Sequence, residues 1–591
     1  MTRYRLSLLS CLFVSAATIN VVVADDGAAE LKLNEIIADH WEYSLREDPT
    51  TATAVGVNDF NDRMPSESHE DHRRRMATEQ AFLRRSNDID RLSLSIAGQT
   101  NLDLFQWVLE DSIGDYELNL SRIPFNTFSG FFMNALTASN GVTMKSVKDY
   151  EDYIARMSEI PRYFDENIDN MRVGVESGFV LPQIVIDGIL PTVEAQLKDD
   201  PEDSSFYAPF SEMSGRVTGA DQERLREQGR AMIRENVMPA FASLAEYLTH
   251  EYQASETIGA EDLSEGKDYY AFNIKRYTTL TDTTPGEIHD IGLAEVKRIR
   301  TDMDAIIEEL EFDGDFAAFG EFLRTDPQFY AKSKDELLKE AAYVAKRVDY
   351  VMPGYFGKLP RQPYGIVPVP DEIAPNYTTG AYYGSPPGGS HGGAFWLNTY
   401  ALDQRPLYEL PALTLHEAVP GHHHQNALSA ELENVPEFRR NLYFSAFGEG
   451  WGLYSEKLGV EMGVYQTPFE NFGRLSYEMW RACRLVVDTG IHSQGWTRQQ
   501  ALAFFFDNTS LSEGNIRAEV DRYIAWPGQA LSYKLGELKI WELRRVAEHD
   551  LGELFDLREF HDVILGNGAV PLAMLEDIVL RWINAKLMSG S

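Results

Sequence analysis

The chain contains 591 residues, of which 43% are apolar and 12% aromatic, and it carries a formal net charge of −38. A chain of this length exceeds what one hydrophobic core supports, so at least two core-forming lobes are expected. The composition excludes wholesale disorder, a collagen-like repeat and a small disulfide-stapled domain. So acidic a surface repels phosphate backbones and anionic lipids, which argues against nucleic-acid binding and against peripheral membrane attachment.

Residues 1–24 have the pattern of a secretory signal peptide. Arg3 and Arg5 precede an apolar run that ends at Ala24, which predicts cleavage after Ala24 and export of the protein. A lipoprotein signal would use Cys11, but only about five apolar residues precede it, fewer than the ~7 that a signal needs. We therefore expect a periplasmic or secreted protein rather than a lipoprotein. No other segment has the ~18–20 consecutive apolar residues of a membrane span.

Most of the chain repeats apolar residues with a helical period. Between Tyr150 and Met171 these residues lie three or four apart, which predicts one buried helical stripe. Similar patterns over residues 288–310 and 336–351 indicate a mainly helical protein. We expect a helical N-terminal lobe over residues 25–270 and a second lobe over residues 271–591 that carries the metal-binding helices. Cys483, the one cysteine left after cleavage, is expected to be a buried apolar residue rather than a nucleophile.

Residues 360–400 interrupt this helical pattern. Recurring prolines in the segment forbid a continuous helix and favour extended backbone. The β-forming run Ala394–Tyr400 predicts one strand of a small sheet. Because this strand leads directly into a dense cluster of histidines, we expect it to lie at the cleft as an edge strand. Such a strand could pair with an extended peptide over Phe395–Tyr400.

The candidate chemistry lies in one short segment, which reads His416-Glu417-Ala418-Val419-Pro420-Gly421-His422. In a zinc-peptidase helix, two histidines four residues apart share a face and a metal ion, with a glutamate beside the first. Here the second histidine comes six residues after the first, which in an unbroken helix would leave it ~120° off that face. A two-residue bulge at Pro420, with positive φ at Gly421, would bring His422 back to His416. Glu417 would then face the metal-bound water.

Two histidines need a third protein ligand if one coordination position is to stay open for water. Glu449 and Glu456 are the candidates. They lie seven residues apart and would share a helical face two turns apart, so only one of them should reach the metal. The glycines at positions 448, 450 and 452 would allow neighbouring backbones to approach this helix closely.

Further donors follow along the chain. One helical face carries Arg481, Arg484, Asp488 and His492. This face is either a solvated ladder of salt bridges or a cleft wall whose His492 donates to an oxyanion. Tyr523 and Tyr533 belong to a second set of donors, which also contains Arg522 and Gln529.

Four other histidines receive no metal role. His423 and His424 directly follow the second candidate ligand, and neither is assigned to the metal. His289 is expected to pack within its amphipathic helix. His391 lies in a glycine-rich loop, where an exposed side chain is expected.

The motif His-Glu-x-x-Pro-Gly-His-x-x-Gln, from His416 to Gln425, resembles the hallmark of the DUF885 family, a group of largely helical bacterial proteins grouped with zincin metallopeptidases. Matching stretches such as Phe447–Trp451 extend the likeness over nearly the whole mature chain. The resemblance implies a mainly α, large two-lobed zincin-like fold with a deep cleft and a small β-sheet next to the metal site. It also implies Zn²⁺ as the cofactor and Glu449 as the third ligand, because glutamate-type zincins take that ligand from a following helix.

The resemblance also suggests roles for the other polar residues. Glu456 and Gln425 would support the metal ligands from behind. Helical zincins commonly use a tyrosine to stabilise the oxyanion, which favours Tyr523 first and Tyr533 second, beside His492. The resulting interpretation is an exported zinc metallopeptidase that cleaves peptides with Glu417 as general base. A zinc hydrolase of non-peptide amides or esters, and a non-catalytic binding or scaffold protein, remain alternatives.

Overall fold

The computed structural model describes residues 26–371, 373–385 and 391–590. The predicted signal peptide, with Cys11 and the cleavage site, lies outside these residues. The described part of the chain is mainly helical with one small sheet, as predicted. No helix within it is both long and apolar enough to cross a lipid bilayer.

The described chain forms 25 α-helices, and the three strands lie between the helix that ends at Val351 and the helix that begins at Leu410. The helices before residue 280 are α1 Asp26–Glu47, α2 Pro49–Ala54, α3 His69–Asn87, α4 Ile96–Glu117, α5 Phe131–Leu136, α6 Val147–Ser158, α7 Ile160–Ser177, α8 Gln183–Glu194, α9 Ala208–Ser211, α10 Gly219–Met232, α11 Met238–His250 and α12 Gly266–Thr278. The helices after it are α13 Pro285–Glu309, α14 Phe316–Thr325, α15 Lys334–Val351, α16 Leu410–Glu417, α17 His422–Ala430, α18 Glu437–Arg440, α19 Ser445–Glu461, α20 Pro468–Gln494, α21 Arg498–Asn508, α22 Glu513–Ala525, α23 Ser532–Leu551, α24 Leu557–Leu565 and α25 Leu572–Gly590. Capping boxes at Ser146 and Thr284 fix where α6 and α13 begin.

The apolar stripe predicted between Tyr150 and Met171 is buried, but two helices carry it instead of one. α6 ends at Ser158 and α7 begins at Ile160, with Pro161 in the first turn of α7. The break falls here because proline has no N–H to continue the hydrogen-bond ladder of α6, whereas a first turn does not need that donor. Both helices pack into the same apolar cluster.

Two large apolar clusters form the interior. One runs from Met64 to Ala530 and the other from Leu33 to Ile583, so each draws side chains from both sides of residue 270. In the second cluster, α1, α3 and α4 pack with α23 and α25. The division expected at residue 270 therefore does not coincide with a boundary between cores. Cys483 is buried in α20.

Close helix packing holds the elements that carry the site. α19 packs along α23, and α16 packs against both α19 and α20. Gly450 of α19 faces Gly536 of α23, and a Cβ at Gly450 would lie 2.5 Å from the Gly536 Cα. A larger residue at either position would force the two helices apart, so the glycine predicted to allow close approach does so here.

The sheet has three strands, β1 Tyr364–Pro368, β2 Gly380–Tyr383 and β3 Gly393–Leu397, in the order β1-β3-β2. β3 pairs in parallel with β1, Tyr364 opposite Gly393, and antiparallel with β2, Gly380 opposite Leu397. β3 is thus the central strand, and the prediction of an edge strand over Ala394–Tyr400 is wrong, because both of its hydrogen-bonding edges are occupied. The free edge nearest the histidine helices belongs to β2, which contacts α16 and α17.

Candidate metal centre

The histidine motif is divided between two helices. α16 ends at Glu417 and α17 begins at His422, and the connection Ala418–Gly421 contains a cis peptide bond between Val419 and Pro420. The prediction of a two-residue bulge inside one helix is therefore wrong, because the helix stops for four residues. The backbone N–H of His423 donates to the Ala418 carbonyl at 3.1 Å across the gap. Trp451 of α19 donates to the Pro420 carbonyl at 2.7 Å and anchors the connection.

Gly421 is needed for space rather than for an unusual backbone angle. Its φ is −73°, so the positive φ predicted for it is absent. A Cβ at this position would lie 1.9 Å from the carbonyl oxygen of His416 and 2.4 Å from that of Leu415. Only a residue without a side chain lets the chain turn back this tightly over the end of α16.

This turn brings His416, His422 and Glu449 together as a group that could hold a metal ion, with one ligand atom of each within 4.8 Å of the others. The Glu449 Oε2 atom lies 3.4 Å from His416 Nε2 and 3.5 Å from His422 Nε2. The two imidazole rings are perpendicular, with centroids 4.7 Å apart. Ligand atoms bound tetrahedrally at ~2.0–2.1 Å to one ion lie ~3.3 Å apart, so these separations fit a shared cation.

Glu456 holds the first imidazole from behind. Its Oε1 atom lies 2.8 Å from His416 Nδ1, which turns Nε2 of the same ring towards Glu449. Both glutamates belong to α19, and Gly452 lies between them. A Cβ on Gly452 would be 2.6 Å from His416 Cε1, so the ring rests directly on the helix backbone. One helix thus supplies the candidate ligand carboxylate of Glu449, the orienting carboxylate of Glu456 and, at Gly452, the space for the His416 ring.

Tyr443 is a neighbour of the site that the sequence did not indicate. Its hydroxyl donates to Glu449 Oε1 at 3.0 Å, while Oε2 of the same carboxylate faces the two histidines. A Cβ on Gly448 would lie 2.5 Å from the Tyr443 ring, which packs on the first turn of α19. Because Tyr443 precedes that helix, helical spacing could not place it beside Glu449.

The electrostatics of the group favour a positive charge. Burial acts to lower the pKa of His416, but its bonds to Glu449 and Glu456 raise it to about 10. The two histidines hold the pKa of Glu449 well below its usual range against the effect of burial. Two carboxylates around one imidazole therefore stabilise a cation at this position, which is the requirement for binding a divalent metal.

Glu417 and Gln425 occupy different positions around the group. Glu417 is the last residue of α16 and is mostly buried, and its carboxylate accepts no hydrogen bond from a described residue. Gln425 donates to the Phe447 carbonyl at 3.4 Å and ties α17 to the start of α19, rather than contacting a ligand side chain.

His492 is not available as an oxyanion donor. It is 1% exposed, its Nδ1 accepts from the Ala260 N–H at 3.1 Å, and its Nε2 donates to the Tyr523 carbonyl at 2.9 Å. Burial lowers its pKa to about 4, so the ring is neutral and its single N–H is already used. The prediction that His492 stabilises an oxyanion is wrong for this reason, since its helical spacing did not reveal these backbone partners.

The two candidate tyrosines differ in whether the hydroxyl proton is already donated to another group of the protein. The Tyr523 hydroxyl donates to Glu519 at 2.6 Å and accepts from Trp480 and Arg484, so the first choice for oxyanion donor is also wrong. The Tyr533 ring lies beside the His416 ring, with centroids 6.5 Å apart and an interplanar angle of 21°. Its hydroxyl accepts from Arg522 at 3.3 Å, which leaves its own proton available for a substrate oxygen.

The other histidines have structural contacts. His423 Nε2 donates to the Gln362 carbonyl and His424 Nε2 to the Lys358 carbonyl, at 3.0 and 3.1 Å, so both fasten α17 to the segment before β1. Burial lowers their pKa values to about 4 and about 3. His289 is buried against Trp496 and bonded to Thr489, whereas His391 is exposed.

Solved structures with the same fold cover almost the whole chain. A crystal structure described as a "putative lipoprotein" from Colwellia psychrerythraea is 29% identical, with a TM-score of 0.88, over 94% of this chain and 99% of that chain. A "putative lipoprotein of unknown function" from Shewanella oneidensis is 18% identical, with a TM-score of 0.71, over 93% of this chain and 99% of that chain. The second likeness concerns the fold alone. Among curated proteins, none matches the chain.

The family model described as "Bacterial protein of unknown function (DUF885)" matches residues 49–579. This range includes both helices of the histidine motif, Glu449 and Tyr533. The match covers far more than half of the chain, and the family resemblance of the motif is therefore confirmed. The protein belongs to the DUF885 family.

Proposed function

We propose that this protein is an exported zinc-dependent hydrolase whose substrates are peptides. The observation that carries the proposal is the meeting of His416, His422 and Glu449 near Glu417, whose carboxylate accepts no hydrogen bond from a described residue. Two histidines and a glutamate are a ligand set that catalytic zinc sites use, with the fourth position left open. A group that only stabilised the fold would not need a free carboxylate next to that open position.

The residues of the chain then divide the chemistry between them. A zinc ion on the triad would supply a Lewis acid and lower the pKa of water at the open position. Glu417 takes the proton of the attacking water on its carboxylate and returns it to the leaving nitrogen. The Tyr533 hydroxyl donates to the carbonyl oxygen as negative charge develops there, and Arg522 orients that hydroxyl.

The surroundings favour an extended backbone as the substrate. No described strand pairs with the outer edge of β2, and β2 lies against α16 and α17. A cavity of 570 Å³ beside it is lined by Tyr377, Thr379 and Trp480, among others. Burial, the Tyr383 hydroxyl and the Glu417 carboxylate all raise the pKa of Tyr377, which supports an arrangement in which the cavity wall lies near Glu417. A peptide could pair with β2 while its scissile bond lies at the triad.

A substrate panel tests this proposal. Protein purified without chelator and supplied with zinc should hydrolyse unblocked and N-blocked oligopeptides, and removal of the metal should abolish the activity. Small esters and non-peptide amides of similar size form the comparison set. If the protein hydrolysed those small substrates faster than every oligopeptide, it would not be a peptidase. The result would instead support a zinc hydrolase of non-peptide amides or esters.

The choice between the two tyrosines gives a specific prediction. Tyr533→Phe should lower kcat by about 10²–10³ with little change in KM, because it removes a donor to the developing oxyanion. Tyr523→Phe should leave kcat per folded molecule nearly unchanged, since that hydroxyl is bonded within the protein. Steady-state kinetics on both variants, with thermal melts to count folded enzyme, would contradict this assignment if Tyr523→Phe had the larger effect on kcat.

Export is part of the proposal. The solved structure from Colwellia psychrerythraea is described as a putative lipoprotein, which supports export of this chain through a cleaved or lipid-modified signal. We expect mass spectrometry of the protein recovered from the periplasm or medium to give an N-terminus at Asp25. An N-terminal lipid-modified Cys11 would show instead that the chain is processed as a lipoprotein.

A further inference from the structure

A second large cavity lies among the N-terminal helices. It has a volume of 630 Å³ and is bounded by α1, α3, α4 and α12, with the end of α22 at one side. None of the residues assigned to metal binding or proton transfer lines it. We call it the acidic cavity, for the side chains described next.

The lining of the acidic cavity carries a surplus of negative charge. Its carboxylates are Glu47, Asp48, Glu67, Glu79 and Asp115, against the guanidinium groups of Arg75 and Arg276. The ion-pair partners just outside the lining add Arg74, bound to Glu47, and Asp111, bound to Arg276, while the imidazoles of His40 and His72 bond Glu79 and Glu67. Six carboxylates then face three guanidinium groups, so the surplus of three persists. Within a concave site of low dielectric such a surplus attracts cations more strongly than the same charges would on an open surface.

Two charged side chains in the lining are incompletely satisfied within the described residues. Asp115 pairs with Arg276 at 2.8 Å, yet its side chain stays 39% exposed. Desolvation raises its pKa in spite of that arginine. Arg75 is 7% exposed and its guanidinium pairs with Glu67, but its Nε–H has no acceptor among the described residues. Buried donors are normally paired, so this N–H indicates a ligand that offers an acceptor.

Aromatic rings add a second source of attraction for a cation. Five tyrosines line the cavity, namely Tyr43, Tyr116, Tyr163, Tyr269 and Tyr277. The faces of aromatic rings attract ammonium and guanidinium groups, most strongly where water is excluded. Carboxylates and tyrosine rings together select a positively charged organic group over a small anion.

Consecutive contacts connect this cavity to the triad. Trp526 lines the cavity, and the Arg522 guanidinium lies 5.8 Å from the centre of its ring. Arg522 donates to Tyr533, whose ring stands beside His416. These contacts link the cavity and the triad through Arg522 and Tyr533, so we ask whether one extended substrate could contact both.

We propose that the acidic cavity binds a cationic group of an oligopeptide substrate, either its terminal ammonium or a lysine or arginine side chain, while the scissile bond lies at the triad. This inference rests on the proposed function, because it assigns a substrate class to the same enzyme. The unpartnered Nε–H of Arg75 would take a carbonyl oxygen of that peptide.

The test measures binding separately from hydrolysis. Isothermal titration calorimetry on the Glu417→Gln protein uses four hexapeptides of one sequence, with lysine or norleucine at one position and with a free or acetylated N-terminus. Affinity should fall about tenfold when the bound charge is removed, and it should weaken at high ionic strength. If replacing lysine by norleucine lowers the affinity, the cavity binds the side chain. If acetylation lowers it, the cavity binds the terminal ammonium.

Two variants assign the effect to the cavity. Asp115→Asn should lower the affinity for the charged peptide about 5- to 20-fold and leave the affinity for the neutral peptide unchanged. Asp521→Asn is the matched control, since Asp521 pairs with Arg498 and does not line the cavity. Equal affinity of all four peptides, or equal losses in both variants, would overturn the inference.

The two proposals can fail separately. Hydrolysis of charged and neutral hexapeptides by the wild-type protein with equal kcat/KM would overturn the cavity assignment and leave the peptidase intact. Charge-dependent binding that requires Asp115, in a protein that cleaves none of the peptides, would support the cavity and reject the peptidase.

Discussion

Glu417→Gln should lower the peptidase activity by about 10³-fold or more while the protein stays folded and keeps its zinc. The change removes the only carboxylate at the triad that accepts no hydrogen bond from a described residue, and with it the acceptor for the proton of the attacking water. The amide has nearly the same shape, so packing at the end of α16 should not change. kcat, zinc content and melting temperature are the three measurements required.

The control for this variant is Glu433→Gln, an exposed glutamate a few residues after α17. It should keep wild-type values in all three measurements. If Glu417→Gln retained substantial turnover with zinc bound, the general base would have to be another group, and the assignment of Glu417 would be wrong.

Gly421→Ala should weaken zinc binding by about 100-fold or more. The new Cβ would meet the His416 carbonyl oxygen at 1.9 Å, so the backbone must shift by more than 1 Å to relieve the contact. That shift would displace His422 from Glu449 and open the triad, in a site where ligand atoms must stay within a few tenths of an ångström. Competition with a chelator of known affinity measures the change.

Gly286→Ala is the matched control, because a Cβ there meets nothing within 4 Å in the first turn of α13. It should bind zinc as the wild type does. Circular dichroism and a thermal melt in the absence of metal separate a local change at the triad from unfolding of the chain. Unchanged zinc affinity in Gly421→Ala would contradict the role given to the tight turn.

Local patterns in the sequence were enough to predict the helices and to single out His416 and His422. The apolar period located α13 and α15, and the six-residue spacing between the two histidines predicted a distortion at Pro420-Gly421, although as a bulge and not as the break between α16 and α17. Spacing left Glu449 and Glu456 as equal candidates for the third ligand. The family resemblance favoured Glu449, and the structure places that carboxylate with the two imidazoles.

The predictions that proved wrong concern features that depend on contacts between distant segments of the chain. β3 was expected at an edge because its composition reveals a strand but not which neighbours it pairs with. His492 and Tyr523 had suitable chemistry, yet Ala260 and Glu519 occupy the atoms they would need. Tyr443 carried no motif at all. Gly421 was predicted to be necessary because of a positive φ. The structure shows instead that it is needed because its α-carbon lies close to the His416 carbonyl, a contact that only the folded backbone reveals.

An anomalous-difference map at the zinc edge, from crystals of protein purified without chelator, tests the metal centre most directly. We predict one peak ~2.0–2.1 Å from His416 Nε2, His422 Nε2 and a Glu449 carboxylate oxygen. A map from zinc-soaked crystals with no peak between these three residues, or with zinc bound only at another position, would contradict the proposal that this protein is a zinc hydrolase.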